Sequence, residues 1–430
     1  MNRKKFLQAG SLATASLLLP RFLKAFEQPV IVPPGNKVLI VLQLSGGNDG
    51  LNTVIPVRND LYYRARPRLG IEKDKTALIT DEVGLHPALT GLKGLYDDGS
   101  LGILSSVGYP NPDRSHFRSM DIWQTASDSR SYVSTGWLGR YLDAQCKGCE
   151  RPTQVLEIDD VVSLALKGEQ IKGMALKDPR RLYNASHEDY FRDIVASHGG
   201  AAAFAGGQGL RPANTGGQSP RLTNTTGQPA RLIPGDEQPV DYLYKTMSET
   251  LSGADYIFQQ SKVRPSLATY PNTELGRNLH TIASLILSDI NTRVYYLSLG
   301  SFDTHVNQAA QQQRLFTELN DAVGAFVADL KANHRFDDSL LVTFSEFGRR
   351  VAQNASGGTD HGTANTMFLI GGGLQRKGLI NSLPNLDDLA EGDLKYQVDF
   401  KDVYATLLHK WLGADDKSIL GRQSAYLDFI

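Results

Sequence analysis

Carboxylates and imidazoles gather in four short stretches of this chain: Asp49 in SGGNDG, Asp303 with His305 in SFDTH, Glu346 in SEFGRR, and Asp360 with His361 in GGTDHG. Mixed Asp, Glu and His ligands suit borderline or hard divalent cations such as zinc, manganese, magnesium or calcium, and the absence of cysteine from these stretches argues against a thiolate site. Asp303 and His305 stand two apart, so in extended chain they point to the same side, as ligands of one ion or of two adjacent ions would. Asp360 and His361 lie between glycines that let both side chains reach inward. Taken alone, GGNDG reads equally well as a structural turn.

Ser115 in NPDRSHFRS is the best nucleophile candidate. A hydroxyl must lose its proton to attack, and a bound metal or an adjacent base assists that loss. His116 would act as that base or as a further ligand, and Arg114 and Arg118 would steady an anionic group. The competing reading makes Ser115 the cap of a helix that begins near Phe117. Of Arg349 and Arg350, just behind Glu346, one would grip an anionic substrate oxygen, or else they form a salt bridge to Glu346 or a solvated pair. A protease-like triad is less attractive, since G-x-S-x-G is absent and the acidic candidates would have no task.

Each of the four stretches reads as the end of an apolar, strand-like run. Open α/β sheets collect functional groups beyond the carboxyl ends of their strands, so ligands distant in sequence meet there. Near-continuous apolar runs mark strands buried on both faces. Strands are predicted over 37–44, 101–107, 153–158, 293–299, 339–344 and 366–371. A helix is predicted from Asn307 to Asn333, where Leu315, Leu319, Val323, Phe326, Val327 and Leu330 recur at spacings of three and four. Another spans Glu274 to Ser288. A third is expected over Tyr396 to Leu412, with His409 as a surface or packing histidine. Alternating strands and helices indicate an α/β fold, a doubly wound, mostly parallel sheet flanked by helices.

With 45 basic and 46 acidic side chains in 430 residues, the formal net charge of −1 offers no field to attract nucleic acid. Residues 1–25 differ from the rest. Arg3, Lys4 and Lys5 precede Phe6-Leu7 and a short, mildly apolar stretch, which is export-signal architecture too short to span a bilayer comfortably. Contact with the export machinery follows, as does a periplasmic or cell-surface location; membrane contact is expected only through an uncleaved signal. NRKKFLQ is similar to the twin-arginine consensus, with Lys4 replacing the second arginine. Cys146 and Cys149 form a lone CKGC pair, read as a local disulfide or free thiols at a helix end. A single α/β domain is expected over 37–430, interrupted at 198–239 by a flexible Gly/Pro-rich insertion.

LSGGNDGLNTVIP, LHPALTGLKGLYDDGSLGILSSVGYPNPDRSHFRSMDIWQTA, STGWLGRYLD, SFDTHVNQ, TFSEFGRRVAQNASGGTDHGTANTMFLIGG and DFKDVYATLLHKWLG together resemble a bacterial family known as domain of unknown function 1501, over about residues 37 to 413. The resemblance implies the alkaline-phosphatase-like fold of phosphatases, sulfatases and cofactor-independent phosphoglycerate mutases. Carried over by order, Asp49 resembles the first metal ligand of that superfamily and Ser115 its nucleophile, with Asp303 and His305, then Asp360 and His361, as the two later clusters. The usual Asp-x-x-x-His spacing is shortened here to Asp-x-His, and no late histidine after His361 aligns with the pattern. The implied function is an exported, metal-dependent hydrolase acting on an anionic phosphate or sulfate ester. A binding or scaffold protein of the same fold, and a metal-free serine esterase, are the alternatives.

Overall fold

The computed structural model of the chain describes residues 36–146, 153–189 and 239–430. The export-type segment, Cys149 and nearly all of the Gly/Pro-rich insertion lie outside them. Among the described residues the chain divides into two compact units, one of 180–189 with 239–256 and the other of 36–146, 153–179 and 257–430. In the first, His187 Nε2 lies 3.1 Å from an Asp255 carboxylate oxygen and its ring stacks on Tyr183.

The second unit is built on a nine-stranded sheet in the order β11-β5-β10-β9-β1-β8-β6-β7, with β14 also paired to β5. Its strands are β1 (Val38–Leu44), β5 (Leu101–Gly108), β6 (Val155–Glu157), β7 (Met174–Ala175), β8 (Val294–Leu299), β9 (Ser339–Phe344), β10 (Asn365–Gly371), β11 (Gly378–Leu379) and β14 (Val398–Asp399). Two small sheets, β2 (Val54–Pro56) with β3 (Ala77–Leu78) and β4 (Val83–Leu85), and the hairpin of β12 (Leu389–Ala390) with β13 (Asp393–Leu394), complete the β structure. Every residue of β1, β5, β9 and β10 is buried, as continuous apolar runs require when both faces are covered. The mixed, mostly parallel sheet expected from the sequence is therefore present.

β10 runs antiparallel to both β9 and β5, while the other pairs in this sheet are parallel. The reason is local. Residues 345–364 contain no helix, and a parallel return needs a long crossover, usually helical. This corrects one expectation: Asp360 and His361 do not close a strand but precede β10. Because β10 is reversed, its beginning lies at the same sheet edge as the ends of β1, β8 and β9. All four stretches thus reach one edge.

Five helices matter for the site: α1 (His116–Thr125), α2 (Trp137–Gln145), α3 (Glu274–Leu287), α4 (Gln308–Ala332) and α5 (Phe400–Thr406). The six apolar positions read for α4 are all buried. α1 is pinned to the sheet by Trp123, whose ring stacks on Phe344 of β9 at 5.3 Å and on Phe400 of α5 at 4.3 Å. Truncating a buried tryptophan of this kind costs about 3–5 kcal/mol, so the first turn of α1 has a firm base. The helix expected from Tyr396 begins only at Phe400. Asp399 caps it by accepting from Lys401 N, and Val398 and Asp399 instead extend along β5. His409 stacks on Tyr426, remote from the carboxylate-rich edge in its contacts. No helix among the described residues is long and apolar enough to cross a membrane.

Candidate metal centre

The turn after β1 must pass close to the turn after β8. Gly46, at φ +118°, does so with no side chain, since a Cβ there would lie 2.4 Å from the backbone nitrogen of Asp303. Ser345, following β9, ties the next turn in: its hydroxyl donates to Leu44 O at 2.6 Å and accepts from Asn48 N at 2.9 Å. Glu346 then accepts from Gly46 N at 2.8 Å. Arg349, 2% exposed, donates to the carbonyls of Gly46, Gly47, Phe302 and Thr359 and to Asp303 Oδ1 at 2.7 Å. It is a strut joining four turns, and its donors are taken up by them. Neither a Glu346 pair nor a substrate-binding role describes it.

On this frame three imidazoles converge. His116 Nδ1 lies 3.0 Å from Glu346 Oε1, His305 Nδ1 lies 3.1 Å from Asp360 Oδ1, and His361 Nδ1 lies 2.8 Å from the carbonyl oxygen of Arg114. Carboxylates and carbonyls only accept, so each Nδ1 faces an acceptor and carries a proton, which in the neutral ring leaves Nε2 as the atom free to face an ion. Those Nε2 atoms meet. His305 Nε2 is 2.9 Å from His361 Nε2; both lie near Asp303 Oδ1, at 3.1 and 3.2 Å; His116 Nε2 is 3.5 Å from Asp303 Oδ2. Burial works to raise the Asp303 carboxyl, but Arg349 and His361 outweigh it and hold the group below the usual carboxylate range. Asp360 is also held low, by hydrogen bonds from Asn354 and His305.

With each Nδ1 facing an acceptor and the Nε2 atoms gathered beside Asp303, the cluster has the arrangement of a candidate cation site. His116, Asp303 and His361 offer ligand atoms that all lie within 4.8 Å of one another. Donors bound at about 2.0–2.2 Å to one ion stand about 3 Å apart at right angles and about 3.4 Å apart at tetrahedral ones, close to the His305, His361 and Asp303 spacings. Glu346, Asp360 and the Arg114 carbonyl face the three Nδ1 atoms from behind, the arrangement of acceptors that orient metal-binding histidines.

Asp49 is placed elsewhere. It is 1% exposed; Oδ1 accepts from Leu51 N, and Oδ2 accepts from Arg66 and from Gln308 Nε2, each at 2.5 Å. Arg66 in turn donates to Asn52 and to the carbonyls of Val351 and Arg350. The expected first ligand is thus half of a buried ion pair and caps the helical turn Gly50–Thr53. Ser115 takes the N-cap position of α1 without a side-chain capping bond, and is exposed. Arg118 is bonded to the carbonyls of Asp128, Ser129 and Ser131 and lies over Tyr132, so its guanidinium braces a loop instead of awaiting an anion. Arg114 pairs with the buried Asp393 and lies 3.7 Å from Glu391, while Arg350 approaches Asp393 from the other side. Sequence reasoning missed the parts played by Arg66, Gln308 and the Arg114 carbonyl: Arg66 lies outside the motifs quoted, and the other two lie inside them with nothing in their residue type to mark the role.

Residues 254–425 match the family described as Protein of unknown function (DUF1501). This DUF1501 stretch holds Asp303, His305, Glu346, Asp360 and His361, so the family resemblance read from the sequence stands over that part of the site. His116 and Ser115 come from outside the matched stretch. No curated protein matches the chain. Among solved structures, the lipoteichoic acid synthase LtaP from Listeria monocytogenes is 10% identical with a TM-score of 0.37, covering 94% of this chain and 77% of its own. The PsFucS1 sulfatase from Pseudoalteromonas sp. is 12% identical with a TM-score of 0.36, covering 92% and 70%. An alkaline phosphatase from the Antarctic bacterium TAB5 is 10% identical with a TM-score of 0.31, covering 78% and 92%. Likenesses this distant carry no argument about activity, and the functional reading rests on the geometry of the cluster.

Proposed function

We propose that the chain is an exported, metal-dependent hydrolase of phosphate or sulfate esters. The observation that carries this reading is the convergence of three imidazole Nε2 atoms on Asp303 while every Nδ1 is held by an acceptor. His116, Asp303, His305 and His361 would hold one divalent cation. Such an ion supplies Lewis acidity toward an ester oxygen and lowers the proton affinity of a nearby hydroxyl. Ser115, exposed and adjoining His116, would attack the phosphorus or sulfur and release its proton to solvent as the P–O or S–O bond to the alcohol breaks and the alcohol leaves, protonated from solvent; water would then hydrolyse the ester formed on Ser115, returning the free hydroxyl and inorganic phosphate or sulfate. Arg114 is the cation nearest in sequence and would face the anion, exchanging part of its pairing with Glu391 for the substrate. Glu346 and Asp360 keep two of the rings turned, and Arg349 keeps Asp303 in place. The basic and apolar opening of the chain supports export.

Metal analysis of the purified protein should find about one divalent ion per chain, lost in His361→Ala. Nitrophenyl phosphate or sulfate should be hydrolysed by the native protein and not by Ser115→Ala. Activity that survives Ser115→Ala removes it as the nucleophile. One observation favours a second reading, a metal-holding binding protein without catalysis: Arg114, Arg118, Arg349 and Arg350 all have partners already. Metal without turnover across both ester classes would support that alternative.

A further inference from the structure

Gln308, the first residue of α4, is fully buried, and its amide joins the two loops that carry His305 and Asp360. Its oxygen accepts from the hydroxyls of Thr304, at 3.0 Å, and Thr359, at 2.6 Å; its nitrogen donates to Asp49 Oδ2 at 2.5 Å and to Gln312 Oε1 at 3.3 Å. Both donors and both lone pairs of the amide are thereby used. Thr304 stands between Asp303 and His305, and Thr359 directly precedes Asp360 and His361. The same loops meet through their backbones. Thr359 N donates to Thr304 O at 3.2 Å, Gln308 N donates to Gly357 O at 3.0 Å, and a Cβ on Gly358 would lie 2.3 Å from His305 O.

The direction of this chain of bonds is set at Asp49. A carboxylate only accepts, so the amide nitrogen must turn toward it and the amide oxygen toward the two threonines, whose hydroxyls then donate. A buried ion pair such as Asp49 with Arg66 is weak evidence for stability. What the carboxylate supplies here is one fixed orientation for Gln308.

We propose that Gln308 is a positioning residue of the metal centre: oriented by Asp49, it clasps the loop of Asp303 and His305 to the loop of Asp360 and His361 and so sets the spacing of their ligand atoms. The assignment rests on the metal reading and not on ester hydrolysis, so its test needs no substrate. Cobalt titration of the full chain, followed by visible absorption, reports affinity and ligand geometry together. Gln308→Met keeps the length of the side chain and removes all four of its bonds. It should weaken cobalt binding at least tenfold and alter the absorption band, as loss of the outer support around metal ligands does. The paired variant Thr304→Val with Thr359→Val, which removes only the two hydroxyls, should do the same, and Thr304→Ser with Thr359→Ser should keep the native affinity and spectrum. Gln312→Met, one turn along α4 and also buried, removes a bond to the same amide but none to either loop, and should leave both readings unchanged. Circular dichroism checks that each variant is folded; should Gln308→Met fail to fold, the threonine pair decides. Native affinity and spectrum in the valine pair overturn the assignment, as does a loss that the serine pair shares or that Gln312→Met reproduces. A native chain that takes up no cobalt removes the metal reading, and this role with it.

Discussion

Asp49 and Asp303 stand beyond neighbouring parallel strands, both held by an arginine, and yet they have opposite tasks. Asp49 is closed off: both oxygens are used and Arg66, its partner, has no exposed side-chain surface. Asp303 keeps 46% of its side chain accessible, with Arg349 on one oxygen and three imidazoles around it. A carboxylate after a strand is therefore not informative by itself. What separates the two is the rest of the shell: the Leu51 amide and Gln308 fill the remaining positions on Asp49, whereas imidazoles surround Asp303.

The largest effect expected from this contrast is at the closed pair. Arg66→Ala would leave Asp49 buried and unpaired, costing about 3–5 kcal/mol, while the folded fraction should still bind metal; chemical denaturation with parallel metal analysis measures both. Loss of metal without loss of stability would reverse the assigned roles.

Glu157 offers a third environment, with neither arginine nor imidazole. It is 4% exposed, and burial pushes its carboxyl up to about 7 against the hydrogen bond it accepts from Ser163 N. Since the folded value exceeds the unfolded one, stability is full below about pH 4.5 and is lost as pH rises to about 7, by up to about 3 kcal/mol. Glu157→Gln should flatten that slope in urea titrations taken from pH 4 to 8.

Removing metal is the next test. A ligand at a hundred times its Kd stabilises by about 2.7 kcal/mol, so chelation should lower the Tm of the native chain and leave the Tm of His361→Ala unchanged. A smaller change isolates the support behind the ligands. Glu346→Gln keeps the shape of the His116 partner but removes its charge, and should weaken metal affinity by about 10–100-fold in a competition titration with little change in Tm for the metal-free protein.

Much of this was legible in the sequence. The apolar runs located the sheet, and the ligand types marked the edge where they meet, because buried strands and metal donors both leave composition signals. The direction of β10 was not, since it depends on the absence of a crossover helix in 345–364 and not on the pattern of β10 itself. Nor was the fate of Asp49. Its partner Arg66 sits in YRARPR, where three arginines alternate with other residues and nothing distinguishes the one that turns inward. His116 left two roles open until its Nδ1 was seen facing Glu346.

The Ser345 hydroxyl, bridging Leu44 O and Asn48 N, fastens two turns into a single piece before any ion arrives. A cavity so prearranged has little to rearrange on filling, so uptake is paced by how readily the incoming ion sheds its hydration shell. Stopped-flow loading should then rank cations by their own water-exchange rates, with magnesium, which dehydrates reluctantly, the slowest of the divalent candidates.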